Sequence, residues 1–298
     1  MTDPQPPICD YEGSNYQTSF WEQGGRAYED QAEAIALERL LPEGGELLLE
    51  LGAGAGRNTL RYTGFKQVVL LDYSLTQLQQ ALQRLGRNQR FIYVAADIYK
   101  LPFVDGLFDA ATMIRTLHHM AEPLAALEQV HRSLQPGAIF ILEYANKQNT
   151  KAILRYLIRR QAWSPFTRQS VEFEKLNFDF HPKAVRDWLK ETGFSLQQQL
   201  AVSNFRLGML KRYLPLNLLT RLEAWFQPTG NWMQLSPSVF TRSQVVGNTT
   251  KAEAGTFFKC PVCEAYNLKP HGYKIICPEC SRVWPIRDGI FDFRIEAD

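Results

Sequence analysis

Apolar and polar positions follow two periods along the first half of the chain. Apolar residues recur at helical spacing from Tyr28 to Leu41, and the leucine-rich segment 46–51 predicts a short buried strand. The same alternation continues to residue 144, with further strands expected at 67–71, 90–96, 108–114 and 138–144 and helices at 75–85 and 123–134. Strands that alternate with helices predict an α/β protein with a parallel sheet and helices on both faces.

The second half of the chain has a different character. Segments 151–163, 181–192 and 205–225 have the helical pattern, and 197–203 and 239–246 fit two more strands, the last of them antiparallel. A polar linker follows at 248–255. We therefore expect one domain over residues 1–247, with a helical, basic substrate-side insertion at 148–235, and a small C-terminal module over 256–298.

Glycines alternate in the loop after the first strand, which reads Glu50-Leu51-Gly52-Ala53-Gly54-Ala55-Gly56. Glycine lets the backbone approach a ligand closely, and the N-terminus of a helix expected after the loop would favour an anionic group. The nicotinamide fingerprint Gly-x-Gly-x-x-Gly would place its third glycine at Arg57. The loop follows the pattern Glu-x-Gly-x-Gly-x-Gly instead.

That pattern resembles the first motif of the Rossmann-like methyltransferases that use S-adenosylmethionine (SAM). Other segments resemble landmarks of the large type 11 branch in the same order: Leu101-Pro102-Phe103, Phe108-Asp109, Leu117-His118-His119-Met120 and Pro136-Gly137. The resemblance implies a doubly wound, mostly parallel, seven-stranded sheet. It also implies that the chain transfers a methyl group from SAM.

The resemblance further implies a set of cofactor-binding residues. Asp72 stands 20 positions after Gly52, where an acid can accept hydrogen bonds from both ribose hydroxyls. Asp97 follows the third strand, where the family places an acid near the adenine amino group. The residues expected to bind SAM are Glu50, Gly52, Gly54, Gly56, Asp72, Tyr73, Asp97, Ile98 and Arg115.

Methyl transfer from a sulfonium is an in-line displacement on an activated donor, so positioning can supply much of the acceleration and a base is optional. The Asx-Pro-Pro-aromatic tetrapeptide of amino-group methylases is absent after the fourth strand, where Arg115-Thr116-Leu117-His118-His119 stands. If the acceptor is a hydroxyl or an acidic carbon, His118 or His119 is the candidate catalytic base, because histidine titrates near neutrality. The alternative is that one of these histidines packs beside the cofactor and the other is half-exposed.

Four of the five cysteines form two Cys-x-x-Cys pairs, Cys260 with Cys263 and Cys277 with Cys280. Four thiolates on two tight turns are what a tetrahedral zinc ion requires, and a closed set favours a structural role. Segment 284–290 resembles the tail of the small zinc-ribbon activator of tRNA, rRNA and protein methyltransferases, although Phe291 stands where that family usually carries proline. We expect loss of zinc to loosen this module and leave SAM binding largely intact.

The distribution of charge along the chain bears on which partner the protein binds. The formal net charge is +2, but residues 1–147 carry −6 and residues 148–245 carry +8. The family resemblance favours a small-molecule acceptor, whereas the ribbon and the basic segment favour tRNA or rRNA as the alternative. A non-catalytic SAM-binding module that makes protein contacts through its ribbon is the third hypothesis.

The ends and the apolar runs of the chain bear on its location. The N-terminal segment 1–12 lacks a basic region followed by an apolar run, and no apolar stretch reaches about 18 residues. We expect no secretory signal, no spanning helix and no membrane partner. A cytoplasmic protein is the expectation that follows.

Overall fold

The structure is a computed structural model that describes residues 6–14, 21, 24–247 and 249–295. The outer limits of the expected domains at residues 1 and 298, and the start of the expected linker at Asn248, lie outside the described residues. Among the described residues, no helix has both the length and the apolar character needed to cross a bilayer.

Seven strands between residues 45 and 245 form a mostly parallel sheet: β1 Gly45–Leu51, β2 Phe65–Asp72, β3 Phe91–Ala95, β4 Phe108–Met113, β5 Leu134–Ala145, β8 Phe194–Val202 and β9 Ser238–Val245. Their order across the sheet is β3-β2-β1-β4-β5-β9-β8. Within this set β9 alone runs opposite to the other six strands. The expected doubly wound, seven-stranded sheet with a final antiparallel strand is therefore confirmed.

Helices cover both faces of this sheet, and each face has its own core. One core includes Leu48, Val68 and residues of α1 and α2, whereas the other includes Leu49, Val69 and residues of α3 and α5. Neighbouring strand residues enter opposite cores because side chains alternate across a strand. The helices are α1 Ala27–Leu40, α2 Leu75–Leu85, α3 Pro123–Ser133, α4 Thr150–Leu157, α5 Pro182–Glu191, α6 Gly208–Tyr213 and α7 Leu216–Phe226.

Three expectations about helices are corrected. No α-helix follows the glycine loop; residues 57–64 contain only a 3-10 turn at Thr59–Arg61, because β2 already begins at Phe65 and leaves too few residues for a helix. The helix expected over 151–163 ends at Leu157. The helical stretch expected over 205–225 is divided at Pro215, which lacks the amide hydrogen that a continuous helix requires.

Sequence reasoning also missed a hairpin between α4 and α5. Its strands are β6 Val171–Glu174 and β7 Asn177–Asp179, which pair antiparallel. The backbone of Phe180 then exchanges hydrogen bonds with the end of β5: its N–H donates to Ala145 O at 2.8 Å, and its carbonyl accepts from Lys147 N at 3.0 Å. The hairpin is thereby fixed at the carboxyl edge of the sheet.

The C-terminal module continues the same sheet. Its strands β10 Pro270–His271, β11 Lys274–Ile276, β12 Val283–Arg287 and β13 Ile290–Asp292 form an antiparallel series. The last of them, β13, pairs parallel with β3, and Phe293 N donates to Ala95 O at 2.8 Å. The result is an 11-stranded sheet in which the edge strand of one unit is covered by the other.

Aromatic side chains fill the junction between the module and the rest of the chain. The ring of Phe258 lies 6.0 Å from that of Phe103, 5.0 Å from Phe291 and 4.9 Å from Phe293, measured between centroids. Lys259 Nζ donates to Asp105 at 2.8 Å beside this cluster. The module and the sheet domain therefore share one hydrophobic core, which also includes the buried Cys260 and Cys277.

Replacement of Phe258 tests this shared core. Phe258→Ala should lower the free energy of unfolding by about 3–5 kcal/mol, since it removes a buried aromatic side chain. Calorimetry should show a lower melting temperature for a transition that includes the sheet domain. Tyr273→Ala, at a side chain 88% exposed in the module, is the matched control and should change stability little. Loss of the module's transition alone, with the remainder unchanged, would contradict a shared core.

Candidate functional site

The carboxyl ends of β1 to β4 surround a cleft that holds about 1070 Å³ of empty space, part of it open to solvent. This is the edge at which open α/β sheets bind their ligands. The predicted cofactor residues that line the cleft are Glu50, Gly52, Gly54, Asp72, Tyr73, Asp97, Ile98 and Arg115. Gly56 is not among the lining residues.

The three glycines of the loop have positive φ angles but different surroundings. A Cβ atom on Gly52 (φ 66°) would lie 2.1 Å from Thr116 Oγ1, and one on Gly56 (φ 72°) would lie 2.8 Å from Leu85 Cδ1. At Gly54 (φ 53°) the nearest atom to such a Cβ is Gln77 Oε1 at 3.8 Å. Gly52 and Gly56 are thus required for protein packing, whereas Gly54 leaves room at the cleft.

Asp72 connects the glycine loop to the end of β2. Its carboxylate accepts from Gly54 N at 2.8 Å and from Ser74 N at 3.0 Å. Burial raises the pKa of Asp72 and outweighs the lowering effect of these two amides. The carboxylate therefore has a structural role in addition to its position at the cleft.

Asp97 lies just after the end of β3, as Asp72 lies at the end of β2. Its Oδ1 accepts from Tyr99 N at 2.9 Å and so caps the 3-10 turn Ile98–Lys100. Because β2 and β3 are parallel neighbours, the two carboxylates reach the same edge of the sheet.

Glu50 lies at the end of β1 with 4% of its surface exposed. Its carboxylate accepts from Thr59 Oγ1 at 2.6 Å and from Tyr62 OH at 3.3 Å. Burial raises the pKa of Glu50 to about 7 despite these hydrogen bonds. A positively charged ligand group in the cleft would favour its ionised form.

Arg115 belongs to a cluster of charged residues that our sequence analysis did not predict. Its Nε donates to Glu33 Oε1 at 2.6 Å, and Arg57 donates to the other oxygen of Glu33 at 2.5 Å. The guanidinium groups of Arg57 and Arg115 lie 3.6 Å and 4.7 Å from the ring centroid of Trp21. These two cations hold the pKa of the buried Glu33 low in spite of its desolvation.

A sequence signal for this cluster did exist. Glu33 falls on the apolar stripe of α1, between the fully buried Ala32 and Ala36. A carboxylate at a core position needs a charged or hydrogen-bonding partner, and Arg57 and Arg115 fulfil that need here.

The two candidate catalytic histidines have different environments. His119 lines the cleft; its Nδ1 donates to Leu176 O at 2.9 Å, since a carbonyl can only accept, and Nε2 therefore accepts from Tyr11 OH at 3.0 Å. His118 does not line the cleft, and within the described part of the chain its Nδ1 is buried without a hydrogen-bond partner. Burial lowers the pKa of both rings, and that of His118 most strongly.

Further polar residues lie near the cleft, on β7 and at the end of β5. The pKa of Asp179, on β7, is raised to about 6 by burial and by the charge of Glu143, while Arg206 and Lys147 act in the opposite direction. Glu143 accepts from Arg115 N at 2.9 Å and from Ser238 Oγ at 2.6 Å. The hairpin that carries Asp179 also supplies the carbonyl that orients His119.

The four cysteines of the C-terminal module meet at one point. All their sulfur atoms lie within 4.8 Å of one another, with 3.7 Å between Cys260 and Cys280 and 3.4 Å between Cys263 and Cys277. The residue after each pair, Glu264 and Ser281, has a φ of 58° and closes the same kind of turn. Sulfurs bound to a tetrahedral zinc at about 2.3 Å would stand about 3.8 Å apart, so the set fits that ion.

Comparison with known proteins agrees with this arrangement. Residues 49–142 match the family model described as a methyltransferase domain. A demethylmenaquinone methyltransferase of Clavibacter sepedonicus is 30% identical over 163 residues, which cover 53% of this chain and 66% of the relative. A 27-O-demethylrifamycin SV methyltransferase of Amycolatopsis mediterranei is 27% identical over 42% of this chain and 49% of its own. The chain thus spans only part of the length of these relatives.

Solved structures share the fold. A chain of the complex between the Haloferax volcanii Trm112 methyltransferase activator and a methyltransferase superposes with a TM-score of 0.55 at 16% identity, covering 78% of this chain and 96% of that chain. An S-adenosylmethionine dependent methyltransferase from Listeria monocytogenes gives a TM-score of 0.54 at 16% identity, over 74% and 99% of the two chains. Residues 49–142 therefore match a methyltransferase domain, and the chain shares the fold of these solved structures.

The different surroundings of Gly52 and Gly54 give a matched pair of variants. Gly52→Ala should destabilise the fold by about 2 kcal/mol or more, because its Cβ collides with Thr116 at a positive φ. Gly54→Ala should cost about 1 kcal/mol from its φ alone and should weaken SAM binding more than it weakens the fold. Denaturant unfolding and titration calorimetry measure the two effects. Equal losses of stability in both variants would contradict this distinction.

Proposed function

We propose that this protein transfers the methyl group of SAM to a small-molecule acceptor. The observation that carries the proposal is the convergence of the glycine loop, Asp72 and Asp97 on one cleft at the carboxyl edge of the sheet. The relatives that act on demethylmenaquinone and on demethylrifamycin support an organic acceptor of low molecular mass.

The cleft residues suit the chemical groups of SAM. Asp72 would accept from the ribose hydroxyls and Asp97 from the adenine amino group, while the open space at Gly54 admits the ligand next to the backbone. Glu50, with its pKa of about 7, would favour the positively charged end. Arg115 and Arg57 would place positive charge near the methionine carboxylate. SAM supplies an activated methyl group when it is bound.

The two histidines near the cleft differ in their suitability as a base for the acceptor's proton. Nε2 of His119 is the unprotonated nitrogen of a ring held by Leu176 and Tyr11, and its one lone pair accepts from Tyr11 OH. As the candidate base it would take the acceptor's proton through that hydroxyl, which also lines the cleft, or after the hydroxyl has moved aside. His118 is better suited to packing, because its ring lies behind that of His119 at a centroid distance of 4.0 Å and does not line the cleft. The lowered pKa of His119 keeps it neutral, and thus able to accept a proton, at pH 7.

Replacement of Asp72 by asparagine tests the binding mode. Asp72→Asn removes the charge and replaces one of the two oxygens that accept from Gly54 N and Ser74 N with an amide nitrogen. SAM affinity should fall by about 1.5–3 kcal/mol, or roughly 10-fold to 160-fold, and the melting temperature shows how much of the loss comes from the loosened loop. Titration calorimetry measures the affinity, and transfer of radiolabel from methyl-labelled SAM to a fractionated metabolite pool measures the activity. Asp288→Asn in the C-terminal module is the control. Unchanged SAM affinity in Asp72→Asn would overturn the assignment.

We also propose that Cys260, Cys263, Cys277 and Cys280 hold a structural zinc ion. The mutual distances of the four sulfurs support this proposal, and a closed set of four thiolates leaves no coordination position for a substrate. Zinc would supply much of the folding free energy of so small a module. Because β13 pairs with β3, the ion would also support the strand that leads to Asp97.

Removal of one thiolate tests the zinc site and its connection with the cleft. Cys263→Ser should release the metal and loosen β13, and SAM affinity should fall by about 1 kcal/mol because β3 loses its neighbour but no ligand contact is removed. The predicted loss of SAM affinity replaces the earlier expectation that SAM binding stays largely intact. Metal analysis and calorimetry measure the two effects, with Glu279→Gln in the second Cys-x-x-Cys turn as control. Full metal retention in Cys263→Ser would refute the site.

A further inference from the structure

Three segments leave the sheet at the same edge as the cleft. The end of β5 at Ala145 and the end of β8 at Val202 both stand in register with Ser238, the first residue of β9. The segment that holds α4 follows β5, the segment that holds α6 follows β8, and residues 232–235 precede β9. We call residues 150–160, 207–213 and 232–235 together the rim surface.

Large apolar side chains are exposed on this rim surface. Within α4 only Ala152 is buried, and α6 buries no residue. Leu157 is 67% exposed, Met209 73% and Trp232 79%. Among the described residues, 10 of the 22 large exposed apolar side chains belong to the rim surface, so they are concentrated there rather than scattered. Such a concentration marks an interaction site.

The rim surface also carries charge of one sign. Its three segments contain six lysines and arginines and no aspartate or glutamate. Arg155, Arg159, Arg160 and Arg212 are exposed, whereas Lys211 is paired with Glu29 at 2.9 Å. The positive charge therefore faces solvent at the same places as the apolar side chains.

We propose that the rim surface binds the surface of an anionic lipid bilayer. Protruding helices with aliphatic and tryptophan side chains can enter the boundary between headgroups and acyl chains, while arginines remain at the anionic headgroups. RNA is less well matched, because single-stranded RNA is held by aromatic stacking. Seven of the ten large exposed apolar side chains of the rim surface are aliphatic or methionine, and the aromatic ones are Tyr156, Tyr213 and Trp232. Burial of an aliphatic side chain in hydrocarbon is favourable, whereas contact with phosphate groups removes no apolar surface from water.

The position of the rim surface gives the proposal a functional consequence. The rim segments adjoin the sheet at the same edge as the cleft, so binding to a bilayer would bring the cleft close to a lipid-soluble acceptor. This binding concerns the bilayer surface only, and it revises the expectation that the protein has no membrane partner. It does not depend on methyl transfer, so the two proposals can fail separately.

Flotation of the full chain with lipid vesicles tests the proposal. We expect binding to vesicles of phosphatidylcholine with about one third phosphatidylglycerol, and much weaker binding to phosphatidylcholine alone. Arg155→Gln/Arg159→Gln/Arg160→Gln should weaken binding to the anionic vesicles by about 100-fold, since each charge near the surface is worth about fivefold. Leu157→Gln/Trp232→Gln should weaken it by at least 10-fold through loss of apolar insertion.

Matched variants outside the rim surface serve as controls. Lys251→Gln/Lys269→Gln/Lys274→Gln removes three exposed charges elsewhere, and Tyr273→Gln removes an exposed aromatic side chain of the C-terminal module; both should bind vesicles nearly as wild type does. Circular dichroism and the melting temperature confirm that each variant is folded, whether or not it binds SAM. No binding to anionic vesicles, or equal losses in rim and control variants, would overturn the proposal. Salt-dependent binding of bulk tRNA that needs the three arginines, without vesicle binding, would overturn it in favour of RNA.

Discussion

The hydrogen bonds that Asp72 accepts from Gly54 and Ser74 are the interaction on which the cleft depends. They join the loop after β1 to the start of α2, so the glycine backbone and a carboxylate are held on the same side of the cleft. A buried carboxylate is stable there only because backbone amides compensate part of its desolvation. One residue thus both shapes the cleft and offers it a charge.

The ion pairs of Glu33 are a second constraint on the shape of the cleft. Helix α1 brings Glu33 into contact with Arg57 and Arg115, and the two guanidinium groups share the ring of Trp21. A buried carboxylate between two cations is expensive to break, because loss of one partner leaves an uncompensated charge. The cluster therefore fixes α1 against the cleft and keeps positive charge where an anionic ligand group would lie.

The C-terminal module changes how the sheet ends. By pairing β13 with β3 it covers an edge strand whose amides and carbonyls would otherwise face solvent. Arg294, just after β13, forms an ion pair with Glu12 at 3.6 Å, and Glu12 in turn accepts from Leu75 N at the start of α2 at 2.9 Å. The module is thus connected to the cleft by contacts that its sequence pattern does not reveal.

The sequence alone predicts the strands of the parallel sheet, the helices α1, α2, α3 and α5, the glycine loop, the carboxylates at the ends of β2 and β3, and the spacing of the cysteines. These features are local: each depends on periodicity, on glycine conformation or on the spacing of residues near one another in the chain. It did not determine that Gly56 packs away from the cleft, because the contact with Leu85 exists only after α2 has folded back.

Contacts between residues far apart in sequence become visible only in the folded chain. These include the pairing of Glu33 with Arg115, the difference between His118 and His119, and the docking of β13 on β3. The exposure of α4 and α6 at one edge belongs to the same group, because helical spacing shows an apolar face but not whether another element covers it. Such contacts follow from how separate elements pack, and that packing is not encoded in any single segment.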